Sequence, residues 1–260
     1  MSKWIVLYKK EWMELARSYK LIWVPLVFIL LGAMQPVTTY FLPDILANAG
    51  NLPKGAVIEI PTPHPEEVLA QTIQQFGTLG LLVLALSFMG ALSGERMSGT
   101  ASMILMKPVS YLSFVTSKWA AMLTLSTLSF AAGFGAAWYY TSTLFDALAW
   151  RSVIHSFMFF GLWLVFVGTL TLLFSSLYRS AAGAAFSALA TAALLTITAS
   201  LFPHLLAWNP GKLSQFASEQ LIDHIAVRTW PVIVMTVILI TVLLMCTAWS
   251  LRKRPSLDSM

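Results

Sequence analysis

Charge is scarce in this sequence. Asp, Glu, Lys and Arg together make up 10% of 260 residues, against 58% hydrophobic ones. Soluble domains carry about 25% charged residues. A chain this poor in charge cannot wrap a core in a polar surface, which excludes a soluble globular protein. Cysteine is nearly absent too. Cys246 stands alone in an apolar run, so no internal disulfide can form. The four histidines, at 64, 155, 204 and 224, are scattered, and no Cys/His metal cluster is expected. Neither H-E-x-x-H nor G-x-x-x-x-G-K-[ST] occurs. Gly211-Lys212 is followed by Leu213, which lacks the hydroxyl a phosphate loop needs. The chain is therefore expected to have no catalytic residues, no metal and no cofactor of its own.

What is there is a series of long apolar runs. Six can cross a bilayer, which takes about 20 residues each. They cover roughly 21–42, 73–92, 115–140, 153–174, 181–202 and 230–251. None alternates with period two, so a β-barrel is not expected. The predicted fold is an all-α integral membrane protein: one membrane domain over 1–260 with six transmembrane helices. Twelve basic residues fall on the side of the termini, among them Lys3, Lys10, Arg17, Arg96, Lys107, Lys118 and Arg252. Four fall on the other: Lys54, Arg151, Lys212 and Arg228. By the positive-inside rule both termini are cytoplasmic. The sign of the formal net charge, +5, is explained by this topology and does not call for nucleic acid. Ala47-Asn48-Ala49 resembles a signal cleavage site, but the run before it is too long for a signal peptide.

Residues 2–20 carry Trp4, Tyr8, Trp12, Leu15 and Tyr19 on one helical face, and Lys10, Glu14 and Arg17 on another. This is the pattern of an interfacial helix on the cytoplasmic leaflet of the lipid bilayer. The first outer loop, 43–72, is rich in proline and reads as an exposed connector. His64 within it is expected to be solvated. The last, 203–229, has a turn at Asn209-Pro210-Gly211. There, Leu213, Phe216, Leu221 and Ile225 interleave with Gln215, Glu219 and Asp223, the pattern of short amphipathic helices near the outer interface. Small residues recur at helical spacing in the fifth span (Gly183, Ser187, Thr191, beside Ala184, Ala188, Ala192). Gly77 and Gly80 lie in the second, Gly133 and Gly135 in the third. Such residues let membrane helices approach closely. The middles of the spans hold no Asp, Glu, Lys or Arg, which disfavours an ion-driven carrier. Gln35 and His155 are the nearest polar candidates. No paired catalytic groups for an intramembrane enzyme are visible, since neighbours such as His155 and Ser156 point in different directions.

The most distinctive stretch, 94–112, follows the second span. It reads Gly94-Glu95-Arg96-Met97-Ser98-Gly99-Thr100, an amphipathic middle, then Lys107-Pro108-Val109-Ser110. A short helix starting near Thr100 is expected to stop at Pro108. The segment Glu95-Arg96-x-x-Gly99-Thr100 with Lys107-Pro108-Val109-Ser110 resembles the loop between the second and third spans of ABC type-2 transporter permeases. The N-terminal helix, six spans and helical outer segment are similar to that family's layout over the whole chain. The resemblance implies the membrane subunit of an ATP-driven exporter in the cytoplasmic membrane, paired with a second permease subunit as homodimer or heterodimer. A separate ABC ATPase subunit would bind the ATP and Mg. Residues 94–112 would be the coupling loop. Glu95 and Arg96 would make polar contacts there, Gly99 would allow a tight turn, and Thr100, Lys107 and Pro108 would complete the interface. The helix carrying Trp4, Tyr8, Trp12 and Tyr19 would also touch the ATPase. A membrane scaffold or sensor that binds a partner and moves nothing is the alternative.

Overall fold

The computed structural model describes residues 3–48, 63–106, 109–202, 208–222 and 229–253. Among them every regular element is a helix. A first helix, α1 (Lys3–Arg17), precedes the first span, α2 (Lys20–Asn48). The second span is composite: α3 (Pro65–Gln75), a π-helical turn (Phe76–Gly80), α4 (Leu81–Phe88) and α5 (Ser93–Met97). A short α6 (Thr100–Leu105) leads to the third span, α7 (Tyr111–Leu144). The fourth and fifth spans are α8 (Trp150–Leu177) and α9 (Ala181–Leu201). A surface-length helix, α10 (Lys212–Ile222), separates them from the last span, α11 (Trp230–Lys253). Among the described residues six helical spans are thus long and apolar enough to cross a membrane.

The proline-rich connector is shorter than the sequence reading has it. Helix α2 runs through Pro25, Pro36 and Pro43 to Asn48. Each proline removes one backbone donor, a defect that neighbouring helices and side chains compensate within membranes. At the other end Pro65 opens α3, with Glu66 and Glu67 in its first turn. Proline suits that position because its missing N–H has no helical partner anyway, and carboxylates favour the positive end of the helix dipole. His64 is exposed, as expected. The sequence places Tyr19 on the aromatic face of one continuous helix. Instead it sits in the break after α1, exposed and with φ 57°. Its N–H bonds to the Ala16 carbonyl, closing α1 in a left-handed cap.

The core lies where the first four spans meet. Phe28, Phe76, Phe130, Phe134, Phe157 and Phe160 form a continuous aromatic cluster with centroid separations of 5.0–6.4 Å. The closest helix crossing is α2 against α7. A Cβ on Gly133 would lie 2.5 Å from the Phe28 carbonyl oxygen, and one on Gly32 would overlap the Gly133 carbonyl. Only glycine permits this approach. In the fifth span Ala184, Ala188 and Ala192 are buried within the subunit.

Helix α10 is amphipathic, as the sequence pattern expects, and docks on the bundle. Its apolar face, Leu213, Phe216, Ala217 and Leu221, is buried against α8 and α3. The buried Ser156 hydroxyl donates to the Ala217 carbonyl at 2.5 Å, fixing the depth of α10. The turn before it docks on α9. Asn209 donates to the Leu195 carbonyl (2.9 Å) and the Thr198 hydroxyl (3.1 Å) and accepts from the Gly211 N–H (2.8 Å). The Leu195 carbonyl leaves no room for a Cβ at Gly211. Ile225 and Asp223 lie outside the described residues.

Candidate functional site

At the end of the bundle that carries α1, five charged side chains from three elements converge. Lys118 is only 2% exposed, although it stands in the second turn of an apolar span. Its ammonium donates to Glu11 of α1 at 2.6 Å and lies 3.2 Å from Glu95 Oε2 of α5. Lys10 of α1 reaches Glu11 and Glu14, both at 3.0 Å, and forms a direct pair with Glu95 Oε1. Glu11 and Glu95 are 7% and 8% exposed. The carboxylates of Glu11, Glu14 and Glu95 crowd within 4.8 Å of one another. Two ammonium groups stand among them, where a divalent cation would otherwise be required, so the set is an ion-pair network.

Burial works against both members that lie outside the spans and show a displaced equilibrium. For Lys10 burial alone would favour the neutral amine, but the hydrogen bond to Glu95 and the field of Glu11 hold it charged above its ordinary range. For Glu14 burial would raise the pKa, but Lys118 and Lys10 draw it below the usual carboxylate value. A depressed carboxylate stabilises the fold above its unfolded pKa, and that contribution is lost as pH falls through the folded value. Protection of the α1 amides, measured against their intrinsic exchange rates at each pH, is therefore expected to be high near neutrality and to fall as pH drops through and below the ordinary carboxylate range. Protection in α1 that is flat with pH while that of α7 responds would remove Glu14 from the network.

The turn that carries Glu95 is held from the other side by the end of the fourth span. The Ser175 hydroxyl accepts from the N–H groups of Leu92 (3.0 Å) and Ser93 (3.1 Å) and donates to the Met89 carbonyl at 2.7 Å. The Arg96 guanidinium donates to the Ser176 carbonyl at 2.6 Å, capping the negative end of α8. Lys20 donates to the Ser87 carbonyl at 2.6 Å. Gly99 has φ 71°, a left-handed conformation that glycine adopts without steric cost. The Thr100 hydroxyl pairs with Ser98 at 2.9 Å. Three methionines of this stretch face outward: Met97 of α5, Met103 of α6 and Met106 just after it are 73%, 69% and 82% exposed.

Helix α1 lies along α7. The Trp4 indole donates to the Thr116 hydroxyl at 3.1 Å, and the Tyr8 and Thr124 hydroxyls pair at 3.0 Å. Trp4, Tyr8 and Trp12 stack in sequence, with centroids 5.6 and 6.4 Å apart. The structure thus gathers Glu95, Arg96, Gly99, Thr100, Trp4, Tyr8 and Trp12 at one end of the molecule, while Tyr19 stands apart. Lys107 and Pro108 lie outside the described residues. The sequence reading missed Glu11, Lys118, Ser175 and Ser176. Glu11 did leave a signal: with Trp4, Tyr8 and Leu15 it shares spacings of four, three and four, an acid on the apolar face.

A buried network joining an N-terminal helix to the loop between the second and third spans is the layout to which known families can be compared. The family model described as ABC-2 family transporter protein matches residues 5–255. The chain belongs to the ABC-2 transporter family. A curated relative, the uncharacterized transmembrane protein YxlG of Bacillus subtilis (strain 168), is 35% identical over 222 residues, covering 85% of this chain and 86% of that protein. Within the ABC-2 family the present chain is a multi-pass membrane subunit and not the ATPase, and the family implies an ABC ATPase as its partner. The network then lies in an ABC-2 permease at the loop between its second and third spans, and at its N-terminal helix.

Proposed function

We propose that this ABC-2 protein is the membrane subunit of an ATP-driven exporter in the cytoplasmic membrane, and that a separate ATPase subunit docks on the α5–α6 loop from the cytoplasmic side. The observation that carries the reading is the double character of that loop. Inward, Glu95 and Arg96 bind it to α1, α7 and the end of α8. Outward, it offers three exposed methionines. A partner can bias a membrane domain only through a contact that differs between two states. A loop held on one side by buried ion pairs transmits a push on its other side to three helices at once. Glu95 and Arg96 then act behind the interface, holding the lever, while flexible methionine side chains provide the adaptable contact surface. The ATPase would hold ATP and Mg.

The test is co-purification in mild detergent from the native membrane. A subunit with a phosphate-loop ATPase sequence is expected in stoichiometric amount. Met103→Asp with Met106→Asp is expected to reduce its recovery at least tenfold, because two carboxylates replace apolar contact. Both side chains are exposed, so the permease itself should elute unchanged. Full recovery of the ATPase with the double variant would remove these methionines from the interface. A chain that purifies alone under conditions preserving known transporters would favour the scaffold reading.

A further inference from the structure

Helix α1 turns its aromatic face to the protein. Trp4 and Tyr8 hydrogen-bond to Thr116 and Thr124 of α7, and Glu11 and Leu15 are buried beside them. The face left outward is the opposite one. Val6, Lys9, Met13 and Arg17 follow at spacings of three, four and four, so they form one stripe along the helix. All four are exposed, Val6 by 55% and Met13 by 46%. Two large apolar and two basic side chains on one stripe suit neither water alone nor acyl chains alone.

Depth decides what the stripe meets. Thr124 lies nine residues into the apolar run 115–140, about 13 Å along the third span. A tyrosine whose hydroxyl reaches that residue places α1 beside the span, at the level of the bilayer's inner interface, and not below it. The side of α1 away from α7 then faces lipid. The last span marks the same layer. Helix α11 also packs on α7, and at its end the Lys253 ammonium lies 4.0 Å above the Trp249 ring, which is 59% exposed. An exposed tryptophan under a lysine at the end of a span is the chemistry of the headgroup zone.

Charge decides which headgroup. The acids of α1 point elsewhere: Glu11 is buried, and Glu14 pairs with Lys10. Glu11, Glu14 and Glu95 stand among Lys10, Lys118 and Lys20, so their charges cancel. Lys9 and Arg17 are in surplus. Among the described residues neither has an ion-pair partner. A zwitterionic headgroup offers no net charge to balance them, whereas an anionic one does.

We propose that the outward face of α1 is a lipid-contact surface at the cytoplasmic leaflet. Val6 and Met13 enter the acyl boundary, and Lys9 and Arg17 hold anionic phospholipid headgroups against the helix. The inference concerns α1 alone and does not depend on the exporter reading.

The test uses the full chain in nanodiscs, carrying Cys246→Ser and Met13→Cys, with an uncharged NBD fluorophore on position 13. Both positions are exposed, so the fold is kept. Phospholipids with a nitroxide high on the acyl chain quench a fluorophore that touches them. At equal mole fraction, nitroxide-labelled phosphatidylglycerol is expected to quench more than nitroxide-labelled phosphatidylcholine. The local enrichment expected is about fivefold or more, the effect of one or two basic side chains at an anionic surface. Lys9→Gln with Arg17→Gln is expected to make the two lipids equal, while quenching by phosphatidylcholine persists. Equal quenching by both lipids beside the native stripe, or a preference that the double substitution leaves unchanged, would overturn the anionic assignment. Emission typical of NBD in water, with quenching by neither lipid, would overturn lipid contact and leave this face to a protein partner.

Discussion

Lys118→Met is expected to destabilise the purified protein by about 3–5 kcal/mol, the effect of removing one member of a buried ion pair. The lysine stands between Glu11 and Glu95, each less than a tenth exposed. Without it, two buried carboxylates face each other with only Lys10 between them. Most of the loss is the desolvation of charges left without a partner, and not the attraction removed. A second substitution should therefore restore stability. Lys118→Met with Glu11→Gln removes the orphaned charge and leaves Glu95 paired to Lys10, so the double variant should recover more than half of the loss. Thermal unfolding followed by tryptophan fluorescence, run as a double-mutant cycle, measures both effects. If the two substitutions simply add, the pair does not act as a unit. If Lys118→Met alone is neutral, the network does not hold α1 to the bundle.

Gly133→Ala is expected to cost about 1–3 kcal/mol or more, although alanine is the better helix former. The added Cβ would sit 2.5 Å from the Phe28 carbonyl oxygen and 2.9 Å from the Phe28 Cβ. Neither obstacle is the free end of a flexible side chain. Helix α2 must move away from α7, and the stacked Phe28–Phe76 pair must move with it. Gly135→Ala is the control: it lies two residues further along the same helix, and nothing stands within 4 Å of its Cβ position. The expected result is a clear drop in the unfolding midpoint for Gly133→Ala and none for Gly135→Ala. Equal behaviour of the two variants would mean that the α2–α7 crossing is looser than these contacts imply.

Both predictions concern residues the sequence marks only faintly. Gly133 and Gly135 look alike as a pair of glycines in an apolar span. What separates them is which one faces Phe28, and that depends on the rotation of α7 against α2. Lys118 reads as an ordinary basic anchor near the start of a span. Its role depends on Glu11 and Glu95, which are 107 and 23 residues distant in the chain. The exposure of Met97, Met103 and Met106 is likewise invisible in the sequence, because α6 is too short to show a periodicity of its own.

The sequence by itself determined the features that local composition dictates: six spanning helices, an all-α membrane fold, an amphipathic α1 and the position of the loop after the second span. A bilayer imposes a hydrophobic length on every crossing, so apolar runs declare themselves without any tertiary information. The tertiary structure decided where the few polar groups went. It took α2 through three prolines, drew α10 into the bundle, stopped α1 before Tyr19, and turned Glu95 inward onto two lysines. In a low-dielectric interior a charge is stable only beside its partner. Which groups become partners depends on helix rotation and depth, quantities that arise only when the spans pack together.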